Sequence, residues 1–410
     1  MKVSIVLLYL VPLFVIVNTE EVFLFHEIFG LNKNIPDSLH FISLISGIIF
    51  YNKLNKFLKI WLIFSVLYFT ILVLESLYTY NSILQYPHVF SKITKVFLLF
   101  GFYLFYNSFP KRYFKFFTWL VFITFCINII FLKREHFSLT FFYHIARPLN
   151  EHSSFLLLLV SLYFFNGYLK NKRLIELFVT LIIWAFLIFV QYRSVWVATF
   201  FALLISFYFI KGSKGLKRIK VFDTKLVLLF FSFIIIFSLY FTYKTKTHFI
   251  DRLVERAEEI LQPTETGTGS WRYQMYLEYK PYIQNHLITG MRFDGFELPG
   301  QFYNEGTDML VWDEGSGHHF HSAYIDTLFY IGLIGLILVF SPIFYLTIVS
   351  LKNKNTDSYS IAIISFVISG LVYGISYVLV DFYFAIAGIA FCYLDEFNNA
   401  TQKISHSENK

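Results

Sequence analysis

The sequence predicts an all-α polytopic membrane protein with about 12 transmembrane helices and one large extracytoplasmic loop. Three observations predict it. The 410 residues are 57% hydrophobic and only 15% charged, with a mean hydropathy of +0.59, whereas soluble domains carry about 25% charged residues. Apolar runs near the roughly 20 residues that cross a bilayer recur along most of the chain. Only the stretch from about Lys244 to His321 is polar over a domain-like length.

Taken in order, the expected spans are 3–18, 39–52, 57–77, 93–109, 113–132, 154–169, 174–191, 194–210, 226–243, 322–350, 359–380 and 382–396. The first follows Lys2 in the manner of a signal peptide, but no A-x-A cleavage site follows it, so it is read as a span. The second is short, the tenth is long, and a tight hairpin separates the last two. This divides the chain into spans one to nine (1–243), the large loop (244–321), spans ten to twelve (322–396) and a polar tail (397–410) expected to be disordered.

Loop charge sets the orientation. With the N-terminus inside, Lys53, Lys56 and Lys59, then Lys111, Arg112 and Lys115, then Lys170, Lys172 and Arg173 all fall on the cytoplasmic side. Glu20, Glu21, Glu27, Asp37 and Glu75 fall outside, as the positive-inside rule requires. Both termini are then cytoplasmic and the large loop lies outside, where there is no ATP. A transferase acting there needs a substrate that is already activated. The net charge of +7 reflects these cytoplasmic loops and gives no reason to expect nucleic acid. Cys126 and Cys392 both sit in apolar segments, so neither a disulfide framework nor a CxxC metal site is expected.

Inside the large loop, apolar residues at Ile250, Leu253, Ala257, Ile260 and Leu261 predict an amphipathic helix on the membrane surface. Residues 263–270 are rich in turn formers. Ser270 is placed to cap a helix starting at Trp271, and Pro281 to kink or end it. Ser322 is placed to cap the tenth span, which sets His321 at a helix N-terminus.

The chemistry-bearing residues gather on the outer face. Arg193 lies between two spans with almost no loop; it either snorkels to the interface or binds an anion. Arg272 opens the predicted loop helix, where its side chain and the free amides suit phosphate oxygens; the alternative is an ordinary solvated arginine. The cluster His318, His319, Phe320, His321 lacks HExxH spacing and cysteine ligands, which disfavours zinc. A neutral His321, its pKa lowered by the positive helix end, suits general base work. Arg147 and His152 add phosphate or sugar contacts, and Lys280 and Arg292 join the candidate substrate-binding residues together with His318 and His319. Asp326 is expected to pair with a cation or orient a histidine, and Asp381 to be interfacial. No Walker A or nucleotide-binding glycine motif occurs, and no cofactor is expected. Arginines for a diphosphate and a neutral base for a hydroxyl suit glycosyl transfer from a polyprenyl-diphosphate donor. A lipid-linked glycan transporter is the reading from a different class; it predicts internal repeats and charged residues within several spans.

Three stretches resemble the O-antigen ligase and polymerase superfamily of bacterial surface-polysaccharide assembly. Tyr192-Arg193-Ser194-Val195-Trp196 resembles its Ser-Arg stretch at the start of a span. Arg272 with Asn285-His286-Leu287 and Gly290 resembles its Arg…Pro-apolar-x-Gly-x-Gly pattern. His321-Ser322-Ala323-Tyr324-Ile325 followed by Gly332-Leu333-Ile334-Gly335 resembles its His-Asn-x-x-Leu…Gly-Leu-Leu-Gly pattern. The chain departs at Tyr192, at His286, at Met291-Arg292 and at Ser322. The resemblance implies a GT-C-like, metal-independent glycosyltransferase of the bacterial inner membrane with an undecaprenyl-diphosphate-linked donor. By it Arg193 and Arg272 would bind the diphosphate and His321 would be the base. The acceptor would be lipid A–core for a ligase or a lipid-linked glycan for a polymerase. The length, the Trp after Arg193 and the single large loop lean to the ligase.

Overall fold

The computed structural model describes residues 3–32, 34–137, 147–212, 267–303, 312, 315–352 and 357–408. Their regular structure is helical. The helices are α1 (Val3–Val17), α2 (Phe23–Phe29), α3 (Asn34–Ile49), α4 (Lys56–Tyr80), α5 (Pro87–Tyr106), α6 (Lys111–Leu132), α7 (Glu151–Asn171), α8 (Leu174–Phe189) and α9 (Arg193–Gly212). After the undescribed stretch come α10 (Gly267–Asn285), α11 (Arg292–Glu297), α12 (Ala323–Lys352), α13 (Ser358–Tyr373) and α14 (Asp381–Glu408).

Six of these, α4, α5, α6, α7, α9 and α12, are long and apolar enough to cross a membrane, and α1, α8 and α13 are shorter apolar helices. The expected second and twelfth spans are helical as α3 and α14 but fall outside both groups. The ninth expected span and the amphipathic segment 249–261 lie outside the described residues. The polar tail expected to be disordered instead continues α14 to Glu408.

Burial shows which helices face lipid. Ile60, Ile63, Phe64, Leu67, Ile71 and Leu74 of α4 are exposed. That helical stripe is tolerated because hydrocarbon, not water, is its solvent. α7 is the reverse: it is buried from His152 to Leu169, between α8, α9 and α13. α14 packs along α5, and α5 also meets α3 and α12. Asn150 starts α7 by accepting from Ser153 N at 2.8 Å, and its amide donates to Glu21 O at 2.6 Å. One capping residue therefore fixes both the helix start and the neighbouring loop.

α12 is not the continuous span expected. Gly332 breaks it with φ 63° and ψ −165°. The segment after α10 docks into the break: Met291 N donates to Phe329 O at 2.8 Å and Leu333 N to Leu287 O at 2.9 Å. Pro342, further along α12, cannot donate to Leu338 O. The Trp61 indole of α4 takes that carbonyl at 2.9 Å, so no buried acceptor is left open.

Other local expectations change. α10 begins at Gly267, a turn before Trp271, and runs through Pro281 to Asn285. The eleventh expected span ends at Tyr373, and residues 374–380 form a non-helical link rather than a tight hairpin.

Candidate active site

Two cavities meet at the end of the bundle where α7, α9, α10 and α12 begin. The first, about 450 Å³, is lined by Arg147, Arg193, Arg272, His321, Glu151, Trp271 and Tyr377, among others. Each arginine is set by a different local device. Arg193 is the first residue of α9, directly after the turn from α8. Trp196, one turn on, donates its indole to Leu187 O at 2.8 Å and ties α9 to α8. The Trp after Arg193 thus has a packing role. Arg147 lies 4.2 Å over the Tyr192 ring, and the Tyr192 hydroxyl is anchored on Leu149 O at 2.9 Å.

Arg272 sits in the second turn of α10, later than the start expected for it, and Gly269 of the first turn lines the same cavity. Its guanidinium lies 4.9 Å over the Tyr377 ring. Its Nε is buried without a hydrogen-bond partner among the described residues. A buried cationic donor left open beside a cavity suits an anion.

His321 stands two residues before α12, its ring 5.5 Å from Trp271 and 6.3 Å from Tyr377. Its pKa lies below the ordinary histidine value, as expected, but the cause differs. Burial against the surrounding protein contributes most, and the Arg272 charge comes next. The ring itself remains open to the cavity. Ala323 N, the first amide of α12, donates to Gly374 O at 2.9 Å and Tyr377 O at 3.2 Å. Ser322 does not cap with its side chain; its hydroxyl turns to Gly374 O at 3.4 Å.

The other candidates are dispersed. His319 lines the second cavity, its ring 4.5 Å from that of His88. His318 is buried with Nδ1 3.0 Å from Gly295 O, in an aromatic nest with Tyr279 and Trp312. His318 is thus held apart in that nest, whereas His319 and His321 both line the second cavity. Lys280 is exposed on α10 and lines neither cavity, and Arg292 pairs with Glu75. His152 is buried with Nδ1 2.9 Å from the Tyr373 hydroxyl, and lines the second cavity. Asp326 pairs with Lys92 at 2.7 Å. Asp381, expected at the interface, is 3% exposed, between His40 at 3.1 Å and Lys95 at 3.9 Å. Asp37, His40 and Asp381 bring metal-type ligand atoms within 4.8 Å of one another, but the Lys95 ammonium already supplies positive charge there.

Sequence reasoning missed Glu151 and Tyr377, which with His321 line both cavities. It also missed His88, Lys92 and Lys95. Their i, i+4, i+7 spacing marks one face of α5, a signal available in the sequence.

Comparison with known families finds a match over the segment that carries Arg193, Arg272 and His321. Residues 160–340 match a family model described as O-antigen ligase. A search of curated proteins finds no match. The matched stretch opens within α7, contains α8 to α11, and ends within α12. Arg147, Glu151 and the cationic face of α5 come from outside it.

Proposed function

We propose that the matched stretch and its flanking helices transfer a glycan from undecaprenyl diphosphate to an acceptor hydroxyl at the outer face of the cytoplasmic membrane. The convergence of Arg147, Arg193 and Arg272 with His321 on one cavity carries this reading. The arginines hold the donor diphosphate. His321, neutral because its pKa is lowered, accepts the proton of the acceptor hydroxyl. The hydroxyl oxygen bonds to the anomeric carbon as the bond from that carbon to phosphate oxygen breaks, its electron pair leaving on the diphosphate. Negative charge grows on the leaving group beside fixed cations, which is where preorganised electrostatics lower a barrier most. The reaction so written needs no metal.

The acceptor we favour is lipid A–core, which makes the protein a ligase; joining of lipid-linked repeat units is the second reading, favoured by the Phe- and Ile-rich composition common to polysaccharide gene clusters. Deleting the gene and complementing with wild type or His321→Ala tests both. Long polymer accumulating on the lipid carrier, with none on lipid A–core, supports the ligase; core bearing a single repeat unit supports the polymerase. Full complementation by His321→Ala overturns the proposed site. Arg272→Ala, which removes a charge-assisted phosphate contact, is expected to cost about 2–5 kcal/mol, roughly 30- to several-thousand-fold in transfer.

A further inference from the structure

The second cavity, about 470 Å³, shares a wall with the first through Glu151, His321 and Tyr377. The two differ in charge. Among the described residues that line the first, Arg147, Arg193 and Arg272 stand with Glu151. In the second, Glu21, Asp37, Glu151 and Asp326 face Lys92 and Lys95. Both lysines are already engaged: Lys92 with Asp326 at 2.7 Å, and Lys95 with Glu21 at 3.4 Å. An anion entering here would meet surplus carboxylate. A sugar hydroxyl would not, because it both donates and accepts, and ion pairs and the Ser91 hydroxyl offer both partners side by side.

We propose that this second cavity is the acceptor subsite and that it takes an uncharged or amine-bearing sugar, presenting its hydroxyl at the shared wall to His321. This rests on the donor reading of the first cavity. It assigns acceptor selection to α5 and the start of α7, which lie outside the matched stretch at residues 160–340. The transfer step is unchanged: the acceptor oxygen gains the anomeric carbon, its proton passes to His321, and polyprenyl diphosphate leaves through the arginine cavity. Glu151, facing both cavities, is the positioning residue that steadies the imidazolium formed on His321.

The test uses the full chain with Cys126→Ser and Ser91→Cys, purified folded in detergent and then labelled at the introduced thiol with a bulky maleimide. Transfer from an undecaprenyl-diphosphate-linked glycan to the extracted glycolipid fraction of the source membranes is measured before and after labelling. Undecaprenyl diphosphate binding is followed in parallel by native mass spectrometry. Labelling is expected to lower acceptor kcat/KM by about tenfold or more while undecaprenyl diphosphate still binds. Methyl glucoside or methyl glucosaminide slows the labelling, and methyl glucuronide does not. Unchanged transfer after labelling overturns the subsite, as does loss of diphosphate binding, and equal protection by the glucuronide overturns the charge preference. Failure of the donor reading shows separately, as Arg272→Ala protein that binds undecaprenyl diphosphate and transfers normally.

Discussion

At the scale of single residues, the proposed site turns on His321 and the nearby charge of Arg272. His321 is held below the ordinary histidine pKa of about 6.5, first by burial and then by the Arg272 charge. A base with a depressed pKa stays neutral, and so competent, above its folded value, and loses function as pH falls through it. The same direction holds for stability: the contribution is present above the unfolded pKa and lost as pH falls through the folded one. The acid limb of kcat/KM against pH, which reports the free enzyme, is therefore expected below the ordinary histidine value. Arg272→Gln removes one lowering charge, so the residual activity should show that limb moved upward in pH. A limb that stays where it is would mean that another group supplies the base.

Among the elements, the break in α12 matters most, because it ties α10, which carries Arg272, to the helix that follows His321. Gly290 and Gly332 face each other across this junction with φ of 70° and 63°. A Cβ on Gly290 would lie 2.5 Å from the backbone of Tyr330 and Ile331, and one on Gly332 would strike Gly290 N and Ile288 O. The clash falls on backbone, which cannot rotate away, and the left-handed φ adds strain. Gly290→Ala or Gly332→Ala is expected to lose about 2 kcal/mol or more of stability, read as a lower thermal transition in detergent. Near wild-type stability in both would show that the junction yields easily. The sequence displays these glycines and their spacing, but not that they meet, because Gly290 and Gly332 are brought together only when the polar loop folds back on the membrane helix.

For the whole molecule, the orientation we propose from loop charge puts α10 outside and the α7–α8 connection inside. Lys280→Cys, on an exposed position of α10, should react with a membrane-impermeant maleimide added to intact spheroplasts, whereas Lys172→Cys should react only after permeabilisation. The reverse pattern would invert the topology and remove the site from the face where a flipped lipid-linked donor is available.

Composition and periodicity determined the membrane class, most helix positions and the chemical types at the site, because a 20-residue apolar run has few folded alternatives in lipid. Arg193, Arg272 and His321 were legible as candidates since each interrupts or borders an apolar pattern. Which candidates meet was decided only by tertiary structure. Arg292 and Lys280 carry the same charge as Arg272, yet one pairs with Glu75 and the other faces solvent. Glu151 sits in an unremarkable capping stretch, and its place between two cavities follows from how Asn150 anchors α7 against Glu21. A sequence states what a side chain can do; the packing of helices far apart in the chain fixes its neighbours, and the neighbours set charge, burial and therefore role.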